Sequence, residues 1–177
     1  QNNIQYMSKT IDDFMHFYHP NKKKTDFSVS DAVKHALAII TPMLTKAGIK
    51  IDFQCDQPFL VNGYMNEYMQ VIVSILTNAK DVLLHRKIEN ASIGITLTET
   101  ADTVILKISD NAGGIREKEM HRIFDPYFTT KHKSMGTGLG LYISKMIIEK
   151  NMNGRLSAEN DRGGAVFTII MRKADEQ

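Results

Sequence analysis

Three glycines at two-residue spacing, in Gly136-Thr137-Gly138-Leu139-Gly140-Leu141, constrain this chain more than any other stretch. Without β-carbons, successive backbone N–H groups can face one anion, and the helix expected to open at Gly140 adds the positive end of its dipole. The stretch therefore points to a phosphate, although a merely flexible loop has the same composition. The spacing is G-x-G-x-G and not the G-x-G-x-x-G of a dinucleotide turn. A charged loop precedes it rather than a strand, so the Rossmann reading fails in its own context. The G-x-x-x-x-G-K-S/T phosphate loop is absent.

The 177 residues suit about one domain with a short appendage, enough to bury a full core. With 42% hydrophobic and 24% charged residues, general disorder is excluded. Lys and Arg number 22 against 20 Asp and Glu, and the resulting charge of +2 makes no case for a nucleic-acid footprint. A single cysteine, Cys55, excludes a disulfide framework and a Cys-rich zinc site, and fits a reducing compartment. No apolar run approaches the ~18 residues of a membrane span, and no signal-peptide pattern is present. The chain starts at Gln1 and not at Met, so a piece of a longer protein is expected.

Ile4, Met7, Ile11, Phe14 and Tyr18 follow a heptad seam, which predicts a helix over residues 1–20. Pro20 and the polar run Asn21-Lys22-Lys23-Lys24 predict a hinge over 21–26, with a solvated linker as the plain reading of the lysines. The main domain is expected over 27–172, with a tail at 173–177. Ser30 is the expected cap of a helix to about residue 46, kinked or shortened by Pro42 and stopped at Gly48. Ile49, Ile51 and Phe53 alternate as a strand. Asn62 is the expected cap of a long helix from about 64 to 86. Residues 92–99 and 103–109 read as a hairpin, 116–135 as a lid-like loop with one short helix, and 140–151 as a helix. Residues 155–159 and 165–171 read as strands around Asp161-Arg162-Gly163-Gly164. The sum is α+β, with helices on one face of a mixed, largely antiparallel sheet.

Two further segments carry chemistry. Asn78, on the apolar long helix, needs a partner if buried; a magnesium ion would suit it, and so would a backbone group. Asp110-Asn111-Ala112-Gly113-Gly114-Ile115 follows a strand. Its glycines let backbone approach a flat ligand, and its Asp can accept from an exocyclic amine; a simple turn is the alternative.

The order of these segments, with Ile123-Phe124-Asp125-Pro126-Tyr127-Phe128-Thr129-Thr130-Lys131 and Gly163-Gly164-Ala165-Val166-Phe167, resembles a sensor histidine kinase of two-component systems. The segments look like the N, G1, F, G2 and G3 boxes of its ATP-binding catalytic domain, in the GHKL superfamily, and the likeness covers roughly residues 1–171. The implied fold is a two-layer α/β sandwich of the Bergerat type. The N-terminal seam becomes the end of a dimerisation and phosphotransfer hairpin, two of which form a four-helix bundle in a homodimer.

The resemblance implies ATP and Mg²⁺ as cofactors. It implies Asn78 as the magnesium-holding residue and Asp110 as the acceptor for the adenine amine, with Gly114 beside the ring. Gly136, Gly138 and Gly140 match the lid glycines, Phe124 and Phe128 the aromatics that anchor the lid, and Lys131 approaches the phosphates. Asp81, Thr130 and Thr137 complete the nucleotide set, with Ile115, Leu139, Leu141 and Phe167 as apolar walls. Catalysis falls to Asn78 and Lys131.

Departures accompany the match. Ser74 stands where many members have an Asn and where gyrase-type ATPases have a Glu that activates water. Asp81 stands where Lys is common, which fits a nitrogen-regulator-like branch. Ala165 replaces a common Thr. None of His16, His19, His35, His85, His121 and His132 has the acidic and Pro context of a phosphoacceptor, so the acceptor is expected before Gln1. The implied partners are a response regulator receiver domain and the protein's own hairpin helices, with no nucleic acid. The implied location is cytoplasmic, and the cytoplasmic part of a membrane-bound sensor is one form of it. A non-catalytic nucleotide-binding module and a kinase acting on a non-His acceptor remain the alternatives.

Overall fold

The computed structural model describes residues 23–55, 57–131 and 136–174. The expected seam helix over 1–20, the first part of the hinge and residues 175–177 lie outside the described residues. Strand β1 (Thr25–Ser28) leads into helix α1 (Val29–Lys46), then β2 (Lys50–Asp52), β3 (Leu60–Gly63) and helix α2 (Met65–His85). The hairpin β4 (Ser92–Glu99) and β5 (Thr103–Asp110) follows. After it come a one-turn helix α3 (Glu117–Met120), helix α4 (Gly140–Met146) continued by a π-helical turn (Ile147–Asn151), and β6 (Arg155–Asp161) and β7 (Gly164–Arg172).

The main sheet has five strands in the order β2-β4-β5-β7-β6, parallel at β2–β4 and antiparallel elsewhere. Alternation along the strands sorts its two faces. Leu97, Leu106, Ile169 and Leu156 lie in register across four strands, and Ile95, Ile108 and Phe167 form the next row. These join Ile72, Ile75, Leu76 and Leu83 of α2 and Val33, Ile40 and Leu44 of α1 in one core. The opposite face carries Thr96, Lys107, Thr168 and Ser157 in register. The helices thus cover one apolar face, as the periodicities require. Among the described residues no helix is long and apolar enough to cross a membrane.

Gly48 ends α1 at a φ of +70°. Its N–H donates to Thr45 O and that of Ile49 to Leu44 O, both at 3.0 Å, the paired bonds of a Schellman stop. The end of α2 repeats this with Lys87 in the left-handed position, at φ 52°. Ile88 N donates to Leu83 O and Lys87 N to Leu84 O, both at 3.1 Å, which leaves Arg86 at the helix end.

Several expectations need correction. The cap of α1 is Ser28 and not Ser30: Ser28 is extended, and its side chain accepts from Asp31 N, while Ser30 is buried and hydrogen-bonds Ser28 Oγ at 2.8 Å. The helix starts earlier because β1 ends at Ser28. Pro42 does not shorten α1; it sits on the exposed side, where the carbonyl deprived of a donor meets water. Asn62 caps nothing, because β3 runs on to Gly63. Asn62 lies opposite Asp26 in the antiparallel β1–β3 pair and donates to its Oδ1 at 2.6 Å. Thr25 and Asp26, assigned to the hinge, are therefore already strand. The expected tail is tied down at its start: Lys173 N donates to Asp102 O, Ala174 N to Leu60 O, and Lys173 Nζ pairs with Glu99 at 2.8 Å.

Candidate functional site

A cavity of about 660 Å³ opens between α2, the end of β5, the segment after α3 and the start of α4. Helical spacing brings Ser74, Asn78 and Asp81 to its α2 wall. Asp110, Gly114 and Ile115 form one end. Thr130, Lys131, Gly136, Thr137, Gly138, Gly140 and Leu141 form the other, and Phe167 lies on the wall from β7. Residues scattered over the whole domain thus meet in one place. Leu139 does not: it is 8% exposed and is not part of the lining, so its apolar side chain belongs to the interior.

At the β5 end, Asp110 Oδ1 accepts from Ala112 N at 2.8 Å and from Ala165 N at 3.3 Å. Oδ2 accepts no hydrogen bond among the described residues, and no polar side-chain atom is both buried and unpartnered there. One oxygen builds the turn and the other is without a partner among the described residues. Gly113 and Gly114 take φ of +93° and +80°, a region only glycine enters freely. The following hairpin closes on the same turn. A Cβ on Gly164 would lie 1.5 Å from Asp110 O, and Gly113 N donates to Gly163 O at 2.8 Å.

At the other end, Lys131 Nζ donates to Asp81 Oδ2 at 2.6 Å and to Asn78 Oδ1 at 3.1 Å. Lys80 pairs with the second Asp81 oxygen at 2.9 Å. Burial pushes the Asp81 carboxyl up, but the hydrogen bonds and charges of Lys131 and Lys80 outweigh it and hold the group below its ordinary value. An amide oxygen and a carboxylate oxygen thus converge on one cation. That donor chemistry is the hard-oxygen kind that magnesium takes.

The segment bearing Lys131 is anchored by aromatics. Phe124 stands edge-on to Phe167, with centroids 6.4 Å apart. Lys145 Nζ lies 4.6 Å over the Phe124 ring and also bonds Glu149 Oε1 and Leu156 O, both at 2.9 Å. Arg122 covers Phe128 at 4.8 Å. Gly138, at φ +69°, lets the α4 side approach this segment, since a Cβ there would meet Tyr127 C at 2.5 Å.

Arg86, Asn160 and Lys145 were not marked by the sequence pattern. Arg86 and Asn160 work through contacts 26 to 45 residues away, and Lys145 reaches Leu156 O eleven residues on, which no local spacing shows. The only hint for Asn160 is its place just before the Asp161-Arg162-Gly163-Gly164 turn.

The two-component sensor PprA of Pseudomonas aeruginosa is 37% identical over 145 residues, which is 78% of this chain and 15% of PprA. The chain spans less than a third of the length of the curated relatives it matches. The nucleotide-free catalytic domain of histidine kinase ThkA superposes with a TM-score of 0.75 at 28% identity, covering 87% of this chain and 100% of that one. ThkA in complex with response regulator protein TrrA shares the fold at 23% identity, with a TM-score of 0.75 over 98% of this chain and 49% of that one. The family model of the histidine kinase-, DNA gyrase B- and HSP90-like ATPases matches residues 64–175. That span takes in α2, the turn after β5, the glycines before α4 and the closing hairpin, and the chain belongs to this family of ATPases.

Proposed function

We propose that this chain is the ATP-binding catalytic domain of a sensor histidine kinase. It would transfer the γ-phosphoryl group of ATP to a histidine on a dimerisation hairpin, for relay to a response regulator receiver domain. Such a domain works on the cytoplasmic side, where ATP and receiver domains are found.

The observation that carries the reading is the state of the carboxylates. Three line the cavity: Asp81, Asp110 and Glu119. Asp81 is paired with Lys131 and Lys80, Asp110 builds the turn, and Glu119 is ion-paired with Arg116. One turn before Asn78 the wall carries Ser74, a hydroxyl. Among the described residues, no lining carboxylate is both free and beside Asn78 to take a proton from water. A neutral imidazole needs no such base, because its nitrogen lone pair is already nucleophilic. The geometry therefore favours an acceptor of that kind over hydrolysis.

The residues divide the work. Asp110 Oδ2 receives the adenine amine, and Gly113 and Gly114 admit the flat ring. The backbone at Gly136, Gly138 and Gly140 and the start of α4 face the phosphates. Asn78 Oδ1, with Asp81, would hold Mg²⁺, which would neutralise charge on the phosphates when bound. Lys131 exchanges its Asp81 partner for phosphate oxygen. The imidazole nitrogen then forms its bond to the γ-phosphorus as the bond to the β–γ bridging oxygen breaks, and the electron pair leaves with ADP.

The test is to incubate the domain with ATP, Mg²⁺ and a separate hairpin bearing an acceptor histidine. Acid-labile, base-stable phosphate on the hairpin is expected. Acid-stable phosphate would identify a hydroxyl acceptor and overturn the reading.

A further inference from the structure

The turn after β5 is held from outside by two side chains. Arg86, at the end of α2, donates from Nη1 to Ala112 O at 2.5 Å and to Gly114 O at 2.8 Å. Asn160, on edge strand β6, pairs its amide with the backbone of Ile115 at both points. Its Oδ1 accepts from Ile115 N and its Nδ2 donates to Ile115 O, each at 2.7 Å. Asn160 is also fitted to Gly114, where a Cβ would lie 2.6 Å from its Oδ1.

These bonds matter because of what they brace. Two consecutive residues at positive φ are the part of the turn with most freedom to lose. Asp110 Oδ1 reaches only as far as Ala112 N within the turn. Beyond that point the backbone depends on Gly163, Arg86 and Asn160. A carboxylate oxygen recognises an amine only within narrow distance and angle limits, so its value depends on the turn being held.

We propose that Arg86 and Asn160 are positioning residues that set the purine selectivity of the cavity. They hold the turn so that Asp110 Oδ2 meets an exocyclic amine at the base edge and rejects a carbonyl there. This rests on the reading of the cavity as an adenine-nucleotide site.

Calorimetric affinities for ATP and GTP, measured on the wild-type chain, Arg86→Met and Asn160→Ala, test it. Each variant is expected to lose about 5–10-fold in ATP affinity, the size of a lost hydrogen bond. GTP affinity should change by less than about twofold, since the turn gives guanine little to lose. Arg86→Lys, which restores one donor, should recover part of the selectivity. A merely structural role would lower both affinities by one factor. An unchanged ATP-to-GTP ratio in the folded variants overturns the proposal. A wild-type chain with no preference for ATP overturns the adenine reading beneath it. Asn160 is exposed on an edge strand, so Asn160→Ala decides alone if Arg86→Met does not fold.

Discussion

Lys131 Nζ lies 2.6 Å from Asp81 Oδ2, and the same ammonium reaches Asn78 Oδ1 at 3.1 Å. A lysine thus occupies the point where the two oxygen donors of α2 converge. The pair is an i, i+3 relation on the helix completed by a residue some fifty positions later, so it ties the segment after α3 to α2.

In the proposed exchange, the bond from Lys131 to Asp81 competes with a contact from Lys131 to phosphate. Asp81→Asn removes a negative charge there and frees the lysine. In the absence of divalent metal, the variant should bind ATP about 2–5-fold more tightly, and Lys131→Met should bind about as much more weakly, the scale of a screened charge pair. Calorimetry in chelator reads both. Weaker binding by Asp81→Asn under those conditions would contradict the exchange.

The same pair predicts a pH dependence. Because the Asp81 carboxyl lies below its ordinary value of 3.8 in the folded chain, its contribution is present above that value and is lost as pH falls through the folded pKa. Thermal unfolding of wild type and Asp81→Asn should differ most near neutrality and converge as the solution is acidified below about pH 4. A difference that grows on acidification would reverse the sign and exclude the pairing.

Asp110→Asn puts an amide where the free oxygen stands. ATP affinity should fall by about 1–3 kcal/mol, the range for a hydrogen bond to a charged group left unmade. Unchanged affinity would remove Asp110 from the base end of the cavity.

Two adjacent glycines separate two physical reasons for glycine. At Gly163 a Cβ meets nothing within 4 Å, but φ is +81°. Gly163→Ala should cost about 1–2 kcal/mol of stability, the left-handed penalty alone. At Gly164 a Cβ would overlap Asp110 O, so Gly164→Ala should cost about 3 kcal/mol or more and should weaken ATP binding as well, through displacement of Asp110. Equal costs at the two positions, by chemical denaturation, would contradict the close approach.

What could be read from the chain follows the range of the interactions. The hairpin over Ser92–Asp110, the helix through Asn78 and the turn at Arg162-Gly163 are written in spacings of two, three or four residues and in turn chemistry. The strands Thr25–Ser28 and Leu60–Gly63 have four residues each and pair across more than thirty, so neither has room for a period, and lysines mask the first. The misplaced cap at Ser30 and the misread Asn62 both follow from those unseen strands. At the site, Asn78, Asp110 and the glycines were legible because each is a local device. Arg86 and Asn160 were not, because they act on backbone atoms 26 to 45 residues away.

In the proposed reaction the phosphoryl group goes to an imidazole and not to water. The direct measurement is a product balance with γ-labelled ATP, the domain and a separate acceptor hairpin. Each ADP formed is expected to be matched by one acid-labile label on the hairpin, with little free phosphate. Inorganic phosphate accumulating in step with ADP, and an unlabelled hairpin, would contradict it.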